Sequence, residues 1–425
     1  MIKDNKMRKI IEEKSKKNYT LIIVCTTLVV LALFLGILIL LRVKNSPNKK
    51  VESKKPIASS NSQSKKEVKE TKAVILSTGD IILHTPFLAA GKQSDGTYNF
   101  DYCFKNVKSE ISNVDYAVCN FETTLGGKEP YQGYPLFNSP DAITDALKNC
   151  GFNLLLCSNN HANDTGFQGM QRTTKITREK GFDQTGTFLN TNEKKYLIKE
   201  INGITFGFIN YTYETSSPGK DDVALNGMKL SSEAANCINT FDYDHLDEFY
   251  SKIAKEIAEM KKDGAEALIL YIHWGDEYRL APNEYQKQMA NKVAELGIDL
   301  IVGGHPHVIQ PGEVINTKDN RKVYCLYSAG NAISNQRFEY MKSVSKTRHT
   351  EDGVFLITEF TRKKDGKTTL SKVSYIPTYV NVNRSGGKMY HNIVIAKQNV
   401  STALNDSYNR TKELLQKSID EFNNK

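Results

Sequence analysis

Five apolar runs, each ending in a side chain that can offer a lone pair to a cation, constrain this chain more than any other feature. Ala73 to Thr78 leads into Gly79-Asp80, and Tyr116 to Cys119 leads into Asn120-Phe121-Glu122. Phe152 to Cys157 leads into Ser158-Asn159-Asn160-His161-Ala162-Asn163-Asp164. Ala267 to Ile272 leads into His273-Trp274-Gly275-Asp276-Glu277-Tyr278, and Ile298 to Val302 into Gly303-Gly304-His305-Pro306-His307. Continuous runs of this length read as strands of a parallel sheet buried on both faces. Open α/β sheets bind ligands just beyond the carboxyl ends of such strands. A lone histidine is usually a satisfied polar residue, but five coincident strand ends favour a site for Mn, Fe or Zn. Gly303 and Gly304 permit a sharp turn there, and Pro306 stiffens the loop so that both imidazoles stay aimed.

From residue 73 onward, strand-like runs alternate with helical patterns, which argues for an α/β sheet with crossovers. Ser139-Pro140-Asp141 reads as the cap of a helix that turns Ile143, Ala146 and Leu147 inward. Leu246 to Met260 reads as a second helix, and Tyr285 to Leu296, with Met289, Val293 and Leu296 on one face, as a third. Residues 214–245 read as a long polar loop able to cover a substrate. Lys364-Asp365-Gly366-Lys367 between two β-like runs is a hairpin signal. Residues 402–422 are helical but mostly polar, so a peripheral helix is expected. Cys119, Cys157 and Cys325 lie in apolar runs, Cys103, Cys150 and Cys237 in less apolar surroundings, and no spacing suggests a disulfide framework.

The charge is unevenly placed. Residues 1–72 carry 17 Lys/Arg against 6 Asp/Glu, whereas residues 73–425 carry 40 against 42. The globular part therefore gives no electrostatic reason to expect nucleic acid. Leu21 to Leu41 is uncharged over 21 residues, about 31 Å as a helix and enough to span a hydrocarbon core. Lys16 and Lys17 flank one end, Arg42 and Lys44 the other. A cleaved signal peptide is the competing reading, but its apolar core is usually shorter, about 7–15 residues, and ends in a small-x-small site. The expected order is thus a basic tail (1–20), a transmembrane anchor (21–41), a flexible basic tether (42–72), a domain (73–385) and a partly helical C-terminal extension (386–425). Basic residues nearly balance across the span, seven before it and six in the 20 residues after it. A short tail before one early span usually stays inside, which places the globular domain outside the cell membrane.

Taken in order, these segments resemble the CapA/PgsA family of capsule and poly-γ-glutamate synthesis proteins, whose domain is similar to calcineurin-like metallophosphoesterases. The resemblance covers roughly residues 73–380. It rests on Gly79-Asp80, Asn120-Phe121-Glu122, Asn159-Asn160-His161-x-x-Asp164-x-Gly166, His273-Trp274-Gly275-x-Glu277-Tyr278, Gly304-His305-Pro306-His307 and Tyr327-Ser328-Ala329-Gly330-Asn331. It implies a layered αββα sandwich behind the anchor, with the site at one edge. It also implies one or two divalent ions held by Asp80, Glu122, Asn160, His273, His305 and His307. His161 would contact the reacting group with Asp164 fixing its tautomer, while Asn120, Glu277 and Asn331 would support the ligands. The phosphoesterase pattern has a histidine two residues after the first aspartate, where this chain has Ile82. His84 is the nearby substitute, and Asn120 with Glu122 stands where the bridging aspartate would be.

Two functions from different classes stay open. One is a membrane-anchored, metal-dependent hydrolase or transferase acting on an anionic cell-surface polymer such as poly-γ-glutamate, or on its linked form. The other is a non-catalytic accessory subunit, working with membrane subunits of a polymer synthase in assembly or export. A phosphatase of soluble substrates fits neither Ile82 nor the tether.

Overall fold

The computed structural model describes residues 70–215, 222–345 and 347–424. The tail, the apolar stretch and nearly all of the tether lie outside the described residues, as does part of the segment 214–245. Among the described residues, no helix is long and apolar enough to cross a membrane.

The apolar runs fold as strands close to where they are expected. In chain order the strands are β1 (Thr71–Ile81), β2 (Tyr116–Phe121), β3 (Leu154–Leu156), β4 (Asp183–Thr185), β5 (Leu197–Ile201) and β6 (Ile204–Tyr213). Three short strands follow, β7 (Ala224–Leu225), β8 (Met228–Lys229) and β9 (Thr240–Phe241). Then come β10 (Ala267–His273), β11 (Leu300–Gly304), β12 (Ile309–Asn316), β13 (Lys322–Ala329), β14 (Asn331–Ile333), β15 (Asp352–Arg362), β16 (Thr368–Ser385) and β17 (Lys388–Ile395). One sheet runs β17-β16-β15-β1-β2-β3-β4, with β14 beside β1. The other runs β12-β13-β11-β10-β6-β5, with β9 beside β6. In the first sheet β1 to β4 are parallel and β15 to β17 antiparallel, whereas in the second the parallel strands β6, β10, β11 and β13 lie between antiparallel β5 and β12.

Alternation along the strands explains the layering. Ile75, Val118 and Leu154 of the first sheet meet Phe208, Ile269, Val302 and Leu326 of the second in one shared core. On the outer face of the first sheet, Leu76, Cys119 and Leu155 pack beneath the helices Thr85–Gly91 and Ala142–Cys150. On the outer face of the second, Leu268, Leu270 and Ile301 pack beneath Leu246–Lys262 and Glu284–Leu296. The order of layers is therefore helix, sheet, sheet, helix.

Several expectations need correction. The helix Thr402–Asn423 is not peripheral, because Leu415, Ile419 and Phe422 enter the core shared by the two sheets. Those positions recur at helical spacing on one narrow stripe, so a polar average hides them. Residues 386–425 also supply β17, which pairs with β16 along its whole length. Phe422→Ala is expected to cost about 3–5 kcal/mol of stability, measured by chemical denaturation. Cys103, Cys150 and Cys237 are as buried as the other three cysteines, and all six are free thiols. Asp141 caps its helix without a side-chain bond and instead pairs with Arg172. Residues 222–241 are not a featureless loop: they form a hairpin, the helix Ser232–Asn236 and a small core of Leu225, Leu230, Ala234 and Ile238 around Met170. The hairpin at Asp365-Gly366 forms as read, with Gly366 at φ 87°.

Glu256, on the helix Leu246–Lys262, is buried beside Tyr211, whose hydroxyl donates to its carboxylate. Burial pushes the Glu256 pKa up to about 7, although the Tyr211 bond pulls the other way. A raised folded-state pKa stabilises fully below the ordinary carboxylate range, and that contribution is lost as pH climbs through about 7. Glu256→Gln should therefore gain about 2–3 kcal/mol relative to wild type between pH 5 and 8. Paired urea titrations in chelator at the two pH values measure that difference.

Candidate metal centre

Asp80 is the penultimate residue of β1, where the chain is pressed against its neighbour: a Cβ on Gly79 would lie 1.8 Å from the Gly330 carbonyl oxygen, so only glycine fits. The Asp80 amide donates to that same oxygen at 3.0 Å. Its carboxylate is fully buried. Oδ1 accepts from the Asn120 amide at 2.8 Å, and Oδ2 lies 3.1 Å from His307 Nδ1. Asn120 also donates to Glu122 Oε2 at 3.1 Å. An aspartate at 120 would set three carboxylates side by side; the amide instead bridges two of them as a donor.

Glu122 stands at the middle of the cluster. It is fully buried, and its Oε1 has no hydrogen-bond partner. That atom lies 3.8 Å from His273 Nε2 and 3.9 Å from His307 Nε2. Burial, then the charges of Asp80 and Glu277, push the Glu122 pKa well up.

The second sheet supplies the imidazoles. His273 is the last residue of β10, with Nε2 2.9 Å from Asn160 Oδ1. Burial and then the neighbouring His305 and His307 drive its pKa well down. His305 is held neutral in the same way, first by burial and then by His307, and its buried Nδ1 has no partner. Neutral imidazole is the form that binds metals. Burial pulls the His307 pKa down, but the hydrogen bond to Asp80 and the charges of Asp80 and Glu277 outweigh it and raise it. With Nδ1–H donating to Asp80, Nε2 is left as the lone-pair nitrogen. Both residues sit at positive φ, 94° for His305 and 56° for His307. Such backbone costs about 1–3 kcal/mol per residue and persists only where the surroundings impose it.

Asp80, Glu122 and His307 bring their donor atoms within 4.8 Å of one another, and so do Glu277, His305 and His307. A buried carboxylate oxygen and a buried imidazole nitrogen without partners, among N and O donors, fit a divalent cation. Asn331 holds the loop from behind, donating to the carbonyls of His307 at 3.2 Å and Thr350 at 3.0 Å. Asn120 likewise acts as a bridge between its neighbours. Glu277 Oε1 lies 3.9 Å from His307 Nε2.

His161 lies beside this cluster. Its Nδ1 is 2.7 Å from Asp164 Oδ2, which also accepts from the Phe137 amide at 2.6 Å. The Phe137 ring stands edge-on to the imidazole at 4.6 Å. That arrangement keeps the proton on Nδ1 and frees Nε2. Asn226 escaped the sequence reading. It sits at the tip of the β7–β8 hairpin at φ 47°, accepts from Asn160 Nδ2 at 3.0 Å and lies across the His161 ring. The Asn226-Gly227 pair, a two-residue turn signal, could have located the hairpin but not its target.

His84 does not replace the missing histidine. Its Nδ1 accepts from the Asn335 amide, and burial holds its pKa down to about 3. Ile82 is buried, its amide bonded to Ile333. Trp274 and Tyr278 have different roles: Trp274 donates to the Tyr327 carbonyl deep in the core, whereas the Tyr278 ring lies 6.0 Å from His307.

The chain is similar to two curated relatives. "Capsule biosynthesis protein CapA" of Bacillus anthracis is 28% identical over 251 residues, 58% of this chain and 56% of its own length. "PGA biosynthesis protein CapA" of Bacillus subtilis (strain 168) is 29% identical over 242 residues, 56% of this chain and 57% of its own. The chain thus spans little more than half the length of either relative. Among solved structures, Haemophilus influenzae NAD nucleotidase (NadN) aligns with a TM-score of 0.42 and 12% identity, over 82% of this chain and 64% of that one. The profile of the family described as "Bacterial capsule synthesis protein PGA_cap" matches residues 74–336, well over half of the sequence. The chain belongs to the bacterial capsule synthesis protein family PGA_cap.

Proposed function

We propose that this protein is a membrane-anchored, divalent-metal-dependent hydrolase or transferase in the synthesis of an anionic cell-surface polymer of the poly-γ-glutamate kind. The observation that carries the metal dependence is Glu122 Oε1: a buried carboxylate oxygen with no donor, beside two imidazole nitrogens and Asp80. Without a cation such a group is costly to keep. The names of the two relatives support capsule or PGA synthesis as the process. The uncharged stretch 21–41 supports anchorage at the cell membrane, with the domain outside.

A divalent ion held there supplies Lewis-acid polarisation of an acyl or phosphoryl oxygen. The chain's own residues supply the rest. His161, oriented by Asp164, presents Nε2 to take or give a proton on a substrate lying against the cluster. Asn226 and Asn160 offer amide groups that orient such a substrate beside it. Phe137 and Asp164 fix the imidazole, so that little reorganisation accompanies proton transfer.

The departure at Ile82 favours the second reading, an accessory subunit that keeps the fold for assembly or export. Elemental analysis of protein purified after metal-replete expression separates the two when paired with polymer production by His161→Ala cells. Bound Mn, Fe or Zn and loss of polymer support the enzyme. Metal-free protein, or undiminished polymer, favours the accessory subunit.

A further inference from the structure

We infer that Glu277 is a direct cation ligand, sharing an ion with His305 and His307. The inference rests on the metal-dependent reading of the site and adds a ligand to it.

The argument starts from His307. Its Nδ1 is committed to Asp80, so only Nε2 can bind an ion, and one imidazole nitrogen serves one ion. Nε2 has two carboxylate oxygens at 3.9 Å, Oε1 of Glu122 on the buried side and Oε1 of Glu277 on the open side. Donors of one transition-metal ion, each about 2.0–2.2 Å from it, lie at most about 4.4 Å apart. Both carboxylates meet that limit with respect to the same nitrogen. Glu277 also brings its donor atom within 4.8 Å of His305, so one ion can meet Glu277 and both histidines together.

The backbone around Glu277 is built to hold it there. Trp274 N donates to the Gly304 carbonyl at 3.2 Å and Tyr278 N to the Pro306 carbonyl at 2.8 Å, so both ends of the segment are strapped to the histidine loop. Gly275 at φ 84° and Tyr278 at φ 62° turn the chain into the left-handed region on either side. A non-glycine residue in that region marks a conformation imposed by its surroundings. Glu277 is nonetheless 44% exposed at its side chain. Solvent reaches it, so it can leave its place to an anionic oxygen of the substrate, which buried Glu122 cannot do.

The test uses the full-length purified protein with Mn²⁺ as the calorimetric probe and Co²⁺ as the spectroscopic one. Glu277→Gln is expected to weaken Mn²⁺ binding at least tenfold and to change the intensity of the Co²⁺ visible bands. Glu277→Asp should retain an intermediate affinity. Equal melting temperatures of wild type and variants in chelator show that the fold is unaffected. Wild-type affinity and an unchanged Co²⁺ spectrum in Glu277→Gln, with His307→Ala unable to bind, would overturn the role of Glu277 and leave the metal centre standing. Failure of the wild type itself to bind Mn²⁺, Co²⁺ or Zn²⁺ would overturn both.

Discussion

His307→Ala is expected to strip the cation from the protein and to abolish polymer production while the domain stays folded. Its imidazole alone belongs to both donor groups, and its orientation is set by the bond to Asp80. Removing it takes away the nitrogen that stands between Glu122 and Glu277. A loss of at least a hundredfold in affinity, about 2.7 kcal/mol, is the expected scale. The effect is visible without an activity assay. In wild type, Mn²⁺ at a thousandfold excess over its dissociation constant should add about 4 kcal/mol to unfolding stability, and chelator should remove it. In His307→Ala, the same Mn²⁺ should add no more than about 1.4 kcal/mol. Polymer made at normal levels by cells carrying this variant would defeat the catalytic reading.

Glu122→Gln should separate stability from binding. In metal-free protein the wild-type carboxylate is fully buried near Asp80, with an oxygen that no donor satisfies. A neutral amide of the same shape relieves that repulsion, so metal-free Glu122→Gln is expected to be about 1–3 kcal/mol more stable than wild type. The same change removes an anionic donor that faces both His273 and His307, and cation affinity should fall at least a hundredfold. Denaturation in chelator and calorimetry with Mn²⁺ give the two quantities. A variant less stable than wild type in chelator would mean that Glu122 is satisfied by a partner within the fold. Functional sites often hold such locally unfavourable groups.

What was legible in the sequence follows from how each residue is placed. Asp80, Glu122, His273 and His305 stand at or just beyond the ends of strands buried on both faces, and a doubly buried strand is an unbroken apolar run. Once those strands pair in parallel, their ends meet. Glu277 and Asn226 depend on loops whose course is decided by left-handed residues and cross-loop backbone bonds, which leave no periodic trace. The helix Thr402–Asn423 misleads because three buried residues on one stripe suffice to anchor it. Cys103, Cys150 and Cys237 lie in segments of mixed polarity and are nonetheless buried. Nothing local distinguishes a thiol that is covered in this way.

The seam between the two sheets runs through the donor set. The first sheet and its loops bring Asp80, Asn120, Glu122 and Asn160, all oxygen or amide groups, while the second and its loops bring the three imidazoles and Glu277. A strong site therefore forms only when both sheets are in register at that edge. A cation there acts as a rivet across the sandwich, and its escape rate reports how often the edge opens. Amide hydrogen exchange at the ends of β1 and β10 should then slow together when metal is added, although the two strands belong to different sheets.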